Sequence, residues 1–185
     1  MKIDQNGWVR GVHKIASPNY DHRPAGSEID LLVIHNISLP PDQFGGVGIV
    51  NFFTNQLDIK SHPYYAQLKD VRVSSHFLIR RDGKIIQFVP CNQRAWHAGV
   101  SNWQGRSRCN DFSIGIELEG SDFVPFSDQQ YNALSRLTRQ LQRRYPIQSI
   151  AGHSDIAPGR KTDPGPYFDW PRYRFALASP SSSRF

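Results

Sequence analysis

Nowhere in the 185 residues does an apolar run approach the roughly 20 residues needed to cross a bilayer. Met1 to Val12 holds Lys2, Asp4 and Arg10 and lacks the apolar core of a secretory signal. Cysteine is scarce: only Cys91 and Cys109 occur, without CxxC spacing, too few for a four-cysteine structural zinc site. These absences lead to the expectation of a cytoplasmic protein with two reduced thiols and no membrane partner. There is no internal repeat. Low complexity is confined to the tail Ser179–Phe185, expected to be frayed. The length suits one domain, expected over residues 1–178.

Charge is in excess on the basic side: 22 Lys and Arg against 16 Asp and Glu give a net +6. Such an excess attracts anionic partners. The basic residues form no dense run, and helix-turn-helix, RNP and zinc-finger patterns are all missing. Nucleic acid is therefore not expected, which leaves a small acidic ligand such as a peptide or a cell-wall fragment.

The patterning that is present reads as alternating strands and helices. Asp30–Asn36 contains the apolar run Leu-Leu-Val-Ile and ends its buried strand at His35. A Pro- and Gly-rich loop over residues 40–48 precedes a helix expected over 49–57. Residues 73–80 and 84–89 flank Arg81-Asp82-Gly83, the Asp-Gly pattern of a hairpin. From Phe112 to Glu119 the residues alternate, with Ile114, Ile116 and Leu118 facing one way and Ser113, Gly115, Glu117 and Glu119 the other. Ser127 and Gln130 make a capping box for a helix that ends before Pro146. A short strand is expected over 148–152 and a last helix over 170–178. Together they predict an α/β (mixed α+β) domain with a central mixed sheet flanked by helices.

Seven histidines are present, and three of them (His35, His76 and His153) end or interrupt apolar segments. Catalytic zinc takes three N, O or S ligands and keeps a fourth position for water. His35, His153 and Asp163 supply such a set, although His76 is an equal rival for the third ligand and His35 also fits a satisfied core histidine. Glu117 is placed to move protons, or else is one of two solvated carboxylates on an open sheet face. Lys161, two residues before Asp163, would point the same way in an extended segment and could meet a developing oxyanion; otherwise it is a surface lysine. Trp96–Gly99 and Tyr64-Tyr65 offer ring-stacking surface or core packing. Arg72, Arg80, Arg81, Arg106 and Arg108 are candidates for gripping carboxylates.

Four stretches carry a resemblance. Leu32–Pro41, Arg94–Val100, Cys109–Gly120 and Gly152–Gly165 resemble, in order, motifs of the bacterial cytoplasmic 1,6-anhydro-N-acetylmuramyl-L-alanine amidases, and the likeness runs from about Gly7 to Phe175. The resemblance implies a zinc amidase fold related to peptidoglycan recognition proteins, one Zn²⁺ per chain and a monomer. It implies His35, His153 and Asp163 as zinc ligands, Glu117 as acid/base and Lys161 as oxyanion stabiliser. By motif position it places Asn36, Arg72, His76, Trp96, His97, Arg108 and Asn110 along the groove for an anhydromuropeptide. The implied reaction is hydrolysis of the bond from the muramyl lactyl group to L-Ala, in the recycling of wall fragments with an indirect effect on β-lactamase induction. Some relatives of the fold bind muropeptides without cutting them, and others act on polymeric wall. One departure from the pattern is Ser154, where relatives often carry Cys; next to His153, it should point away from the metal.

Overall fold

Four consecutive large apolar residues, Leu31 to Ile34, can only be accommodated where both faces of a strand are covered. In the computed structural model, which describes residues 1–179, all four are fully buried in the interior of a sheet. The tail expected to fray lies, beyond Ser179, outside the described residues. Along these the chain forms β1 (His13–Lys14), β2 (Tyr20–His22), β3 (Leu31–Ile37), α1 (Gly48–Phe53), a 3-10 turn over Pro63–Leu68, β4 (Phe77–Ile79) and β5 (Ile85–Gln87). There follow β6 (Gln93–Ala95), β7 (Asn102–Trp103), β8 (Arg106–Ser107), a 3-10 turn over Cys109–Asp111, β9 (Ser113–Glu119), α2 (Asp128–Arg144), β10 (Ser149–Gly152), α3 (His153–Ile156) and α4 (Trp170–Ala178).

The main sheet has the order β1-β5-β4-β9-β3-β10. It is mixed, as expected: β4, β9, β3 and β10 run parallel, and β5 returns antiparallel to β4. The hairpin turn is where Asp82-Gly83 predicts it, with Gly83 at φ +80° and its N–H donating to Arg80 O. The paired stretches are shorter than the apolar runs, three residues on each side.

One face of the sheet is closed by helices. Leu32, Ile34, Ile114, Ile116 and Leu118 pack against Leu134, Leu137 and Leu141 of α2 and Tyr173 of α4. The capping box at Ser127 and Gln130 is complete. Gln130, fully buried, also donates its amide to Ile79 O and Glu119 O, which ties α2 to the strands beneath it. The other face is covered by shorter pieces. Leu31 and Val33 meet Ala98, Cys109, Phe112 and Ile156, while Leu78, Ile86 and Phe88 meet Ile49, Phe52 and Phe53 of α1. Both cysteines are free and buried, and burial pushes the Cys91 thiol up to about 12.

Two expectations change. Helix α1 stops at Phe53 rather than running to residue 57. Asn55 adopts φ +58°, and the N–H groups of Asn55 and Gln56 return to Phe52 O and Asn51 O, a Schellman cap that closes the helix early. The less apolar face of β9 is not open to solvent either: all seven residues of the strand are buried, Glu117 at 8% exposure and Glu119 at 1%. Glu119 accepts hydrogen bonds from Arg80, Gly45 N–H and Arg81 N–H, which satisfies its charge.

Candidate active site

Parallel strands bring their C-terminal ends to one edge, the usual place for a site in such sheets. The register sets His35 of β3 directly beside Glu117 of β9 and Ile34 beside Gly152 of β10. His153 follows Gly152 at the start of α3, so it rises next to His35. Asp163 comes in from the loop after α3, held there by Ser154 N–H donating to Asp163 O.

The result is a tight triangle. His35 Nδ1, His153 Nδ1 and Asp163 Oδ2 are each 3.0 Å from the other two. In a tetrahedral zinc centre with bonds of about 2.0–2.1 Å, ligand atoms lie about 3.3 Å apart, so this triangle already has nearly the required shape. Among the described residues these three form a group able to hold a metal ion. Burial pushes His35 down to about 4 despite the neighbouring carboxylate, which keeps its imidazole neutral. Burial alone would raise the Asp163 carboxyl, but the His153 and His35 rings against it outweigh that and hold the group well below the carboxylate range. His35, held neutral, stands with His153 and one carboxylate around a common point, and two imidazole nitrogens with a carboxylate oxygen are the donor types that a divalent cation takes.

The triangle lies in a cleft of about 600 Å³ that Asn36, Trp96, His97, Glu117 and Lys161 also line. Burial drives the Glu117 carboxyl well above its ordinary range, with the Asp163 charge adding to the effect and Lys161 opposing it. Glu117 Oε2 is buried with no hydrogen-bond partner among the described residues. A buried, unpartnered carboxyl oxygen beside a metal-type donor set is the feature expected of an acid/base rather than of a structural carboxylate such as Glu119. Lys161 is exposed and leans on the same cleft.

A family model described as N-acetylmuramoyl-L-alanine amidase matches residues 25–166, a span that contains the whole triangle, Glu117 and Lys161. The chain belongs to this amidase family. It is 54% identical to the 1,6-anhydro-N-acetylmuramyl-L-alanine amidase AmpD of Citrobacter freundii over 100% of this chain and 98% of that one. The crystal structure of a selenomethionine AmpD derivative superposes with a TM-score of 0.93 at 54% identity, covering 96% of this chain and 99% of that chain. The amidase AmiD from E. coli, solved as a complex with anhydro-N-acetylmuramic acid-L-Ala-D-gamma-Glu-L-Lys, superposes at 0.59 with 35% identity over 84% of this chain and 60% of that one. The chain is thus a hydrolase with the zinc amidase fold.

Within this amidase the remaining candidates separate into two groups. Asn36, Trp96 and His97 line the cleft, as does Tyr64, whereas Tyr65 is core. His76, Arg72, Arg108 and Asn110 are not on its wall. His76 is fully buried: its Nδ1 accepts from Gly115 N–H and its Nε2 faces Gln93 O. Asn110 Oδ1 accepts from the backbone N–H groups of His97 and Ala98. Arg72 is exposed and donates to Lys69 O and Val71 O, and Arg108 pairs with Asp111 at 3.2 Å. Of the other arginines, Arg80 pairs with Glu119 and Arg106 with Asp30. Asn36 donates to Asp122 Oδ1 and to Pro164 O, next to Asp163.

Sequence reasoning missed Ser113 and Arg160, which support the loop carrying His97. Both fall inside motif stretches, but nothing in strand alternation marks a serine as a histidine's partner. Gly115 was read only as a residue on the less apolar face. A Cβ there would meet His97 Cγ at 2.5 Å, so the glycine is a slot for the imidazole ring. Gly115→Ala is expected to destabilise the fold by about 1–3 kcal/mol through overpacking. Urea unfolding reads this directly; an unchanged midpoint would mean that the ring does not rest on β9.

Proposed function

We propose that this amidase hydrolyses the amide between the lactyl group of 1,6-anhydro-N-acetylmuramic acid and L-Ala in free muropeptides, with zinc held by His35, His153 and Asp163. The observation that carries the reading is the 3.0 Å donor triangle with the unpartnered Glu117 Oε2 in the same cleft. The names of the relatives support the substrate class.

A zinc ion at the triangle supplies Lewis acidity, lowering the pKa of water toward about 7 and polarising the scissile carbonyl. Glu117 takes the proton of the attacking water. Its raised affinity for protons suits it to keep that proton until the tetrahedral species collapses, and then to deliver it to the leaving amine of L-Ala. Lys161 sets its ammonium beside the developing oxyanion. Trp96 gives an apolar wall for the sugar, and the net charge of +6 favours a ligand rich in carboxylates. In this reading the enzyme is a cytoplasmic monomer that recycles wall fragments. No helix among the described residues is long and apolar enough to cross a membrane.

The test is mass spectrometry of soluble anhydromuramyl-tripeptide after incubation with pure enzyme, with and without a zinc chelator. Separation of sugar and peptide that chelation stops is the expected result. A substrate left whole by zinc-replete enzyme would turn the reading into that of a muropeptide-binding module, and faster digestion of intact sacculi into that of an enzyme for polymeric wall.

A further inference from the structure

Each histidine of the donor triangle directs its second ring nitrogen to the same loop. His35 Nε2 lies 2.9 Å from His97 Nδ1, and His153 Nε2 lies 3.1 Å from Ala98 O. A carbonyl oxygen only accepts, so His153 carries its proton on Nε2 and presents an unprotonated Nδ1 to the triangle. For His35 to present Nδ1 in the same way, its Nε2–H must donate to His97 Nδ1. His97 then holds its own proton on Nε2, 3.1 Å from Ser113 Oγ, which accepts it. His35, His97 and Ser113 thus form one directed relay, while His153 is oriented separately by Ala98 O.

The loop is fixed from several sides. Asn110 Oδ1 accepts from His97 N–H at 3.1 Å and from Ala98 N–H at 2.8 Å. Ala98 O also accepts from Arg160 Nη2 at 2.7 Å. Arg23 Nη1 donates to Asn110 O at 3.0 Å and so anchors the anchor. The His97 ring lies in the space that Gly115 leaves open. Two residues in succession therefore serve the two ligand histidines, one through a ring nitrogen and the next through a carbonyl. A single amide oxygen sets the backbone of both.

We infer that His97 and Ala98 are the outer shell of the metal centre, and that His97 and Asn110 are positioning residues for its ligands rather than groups that grip the substrate. Partners of this kind fix the tautomer and orientation of a ligand imidazole and typically change metal affinity by about 10–100-fold. The inference rests on the zinc reading above.

The experiment measures zinc affinity by competition with a chromogenic chelator for the full chain and for H97F, H97Q and N110A, together with the melting temperature of each metal-free protein. H97F removes the acceptor for His35 Nε2–H and should bind zinc about 10–100-fold more weakly. H97Q can offer an amide oxygen at that place and should recover most of the loss, a rescue that packing alone would not give. N110A leaves the ring intact but frees its backbone and should weaken zinc by about tenfold, the lower end of the same range. If H97F does not fold, N110A alone decides. Affinities of the folded variants equal to wild type would overturn the inference. A wild-type chain that binds no zinc would overturn the metal reading and the inference with it.

Discussion

Glu117→Gln is expected to bind zinc as wild type does and to lose about 10²–10⁴-fold in turnover, the usual contribution of a positioned acid/base. The amide has the shape of the carboxyl group and fits between the flanking strands, where Glu117 is paired with His35 on one side and Leu78 on the other. The donor triangle is untouched, because neither Glu117 oxygen bonds to it. What the variant loses is the ability to take a proton from water and return it to an amine. Metal content by elemental analysis and cleavage of anhydromuramyl-tripeptide separate the two effects. Full turnover with bound zinc would remove Glu117 from the reaction.

The contrast with Glu119 shows how far the sequence reaches. Both carboxylates stand on the same face of an alternating strand, and the local pattern gives them equal status. Structure distinguishes them through distant residues: Arg80, Gly45 and Arg81 surround Glu119, whereas Glu117 Oε2 is left bare next to His35. None of those neighbours can be read from the alternation. The same holds for burial. Strand periodicity announces one apolar face, but β9 lies between β4 and β3 at the centre of the sheet, and there both faces are covered.

What could be read was local chemistry. The apolar run of β3, the Asp-Gly hairpin and the Ser127–Gln130 cap each state their geometry within a few residues, and each is found. The end of α1 was missed because a left-handed asparagine, unlike a glycine or proline, is no strong punctuation mark. The site divides along the same line. Motif resemblance picks out residues that belong together without saying what each one does. Arg72 and Arg108 carry charges that a groove would want, yet here they bond locally, off the cleft wall. His76 and Asn110 sit behind it, in roles that only the hydrogen-bond pattern reveals.

That pattern also bears on the third metal ligand, where residue chemistry alone left His76 level with Asp163. His76 has no free nitrogen: Nδ1 accepts from Gly115 N–H at 3.0 Å, and Nε2 lies 3.1 Å from Gln93 O. Burial, helped by Arg23, pushes it down to about 3, so it stays neutral and keeps this arrangement. Asp163 instead turns one oxygen to both His35 and His153. Asp163→Ala and His35→Ala should therefore each lose zinc on dialysis. Their turnover should fall by about 10³-fold or more, since metal assistance supplies several kcal/mol and each 1.36 kcal/mol is a factor of ten. His76→Gln can still accept from Gly115 N–H and should retain one zinc per chain, even where its stability is lower. The assignment is sharp because the variants differ in metal content before any activity is measured. Zinc kept by Asp163→Ala and lost by His76→Gln would exchange the two residues and move the centre off the cleft wall.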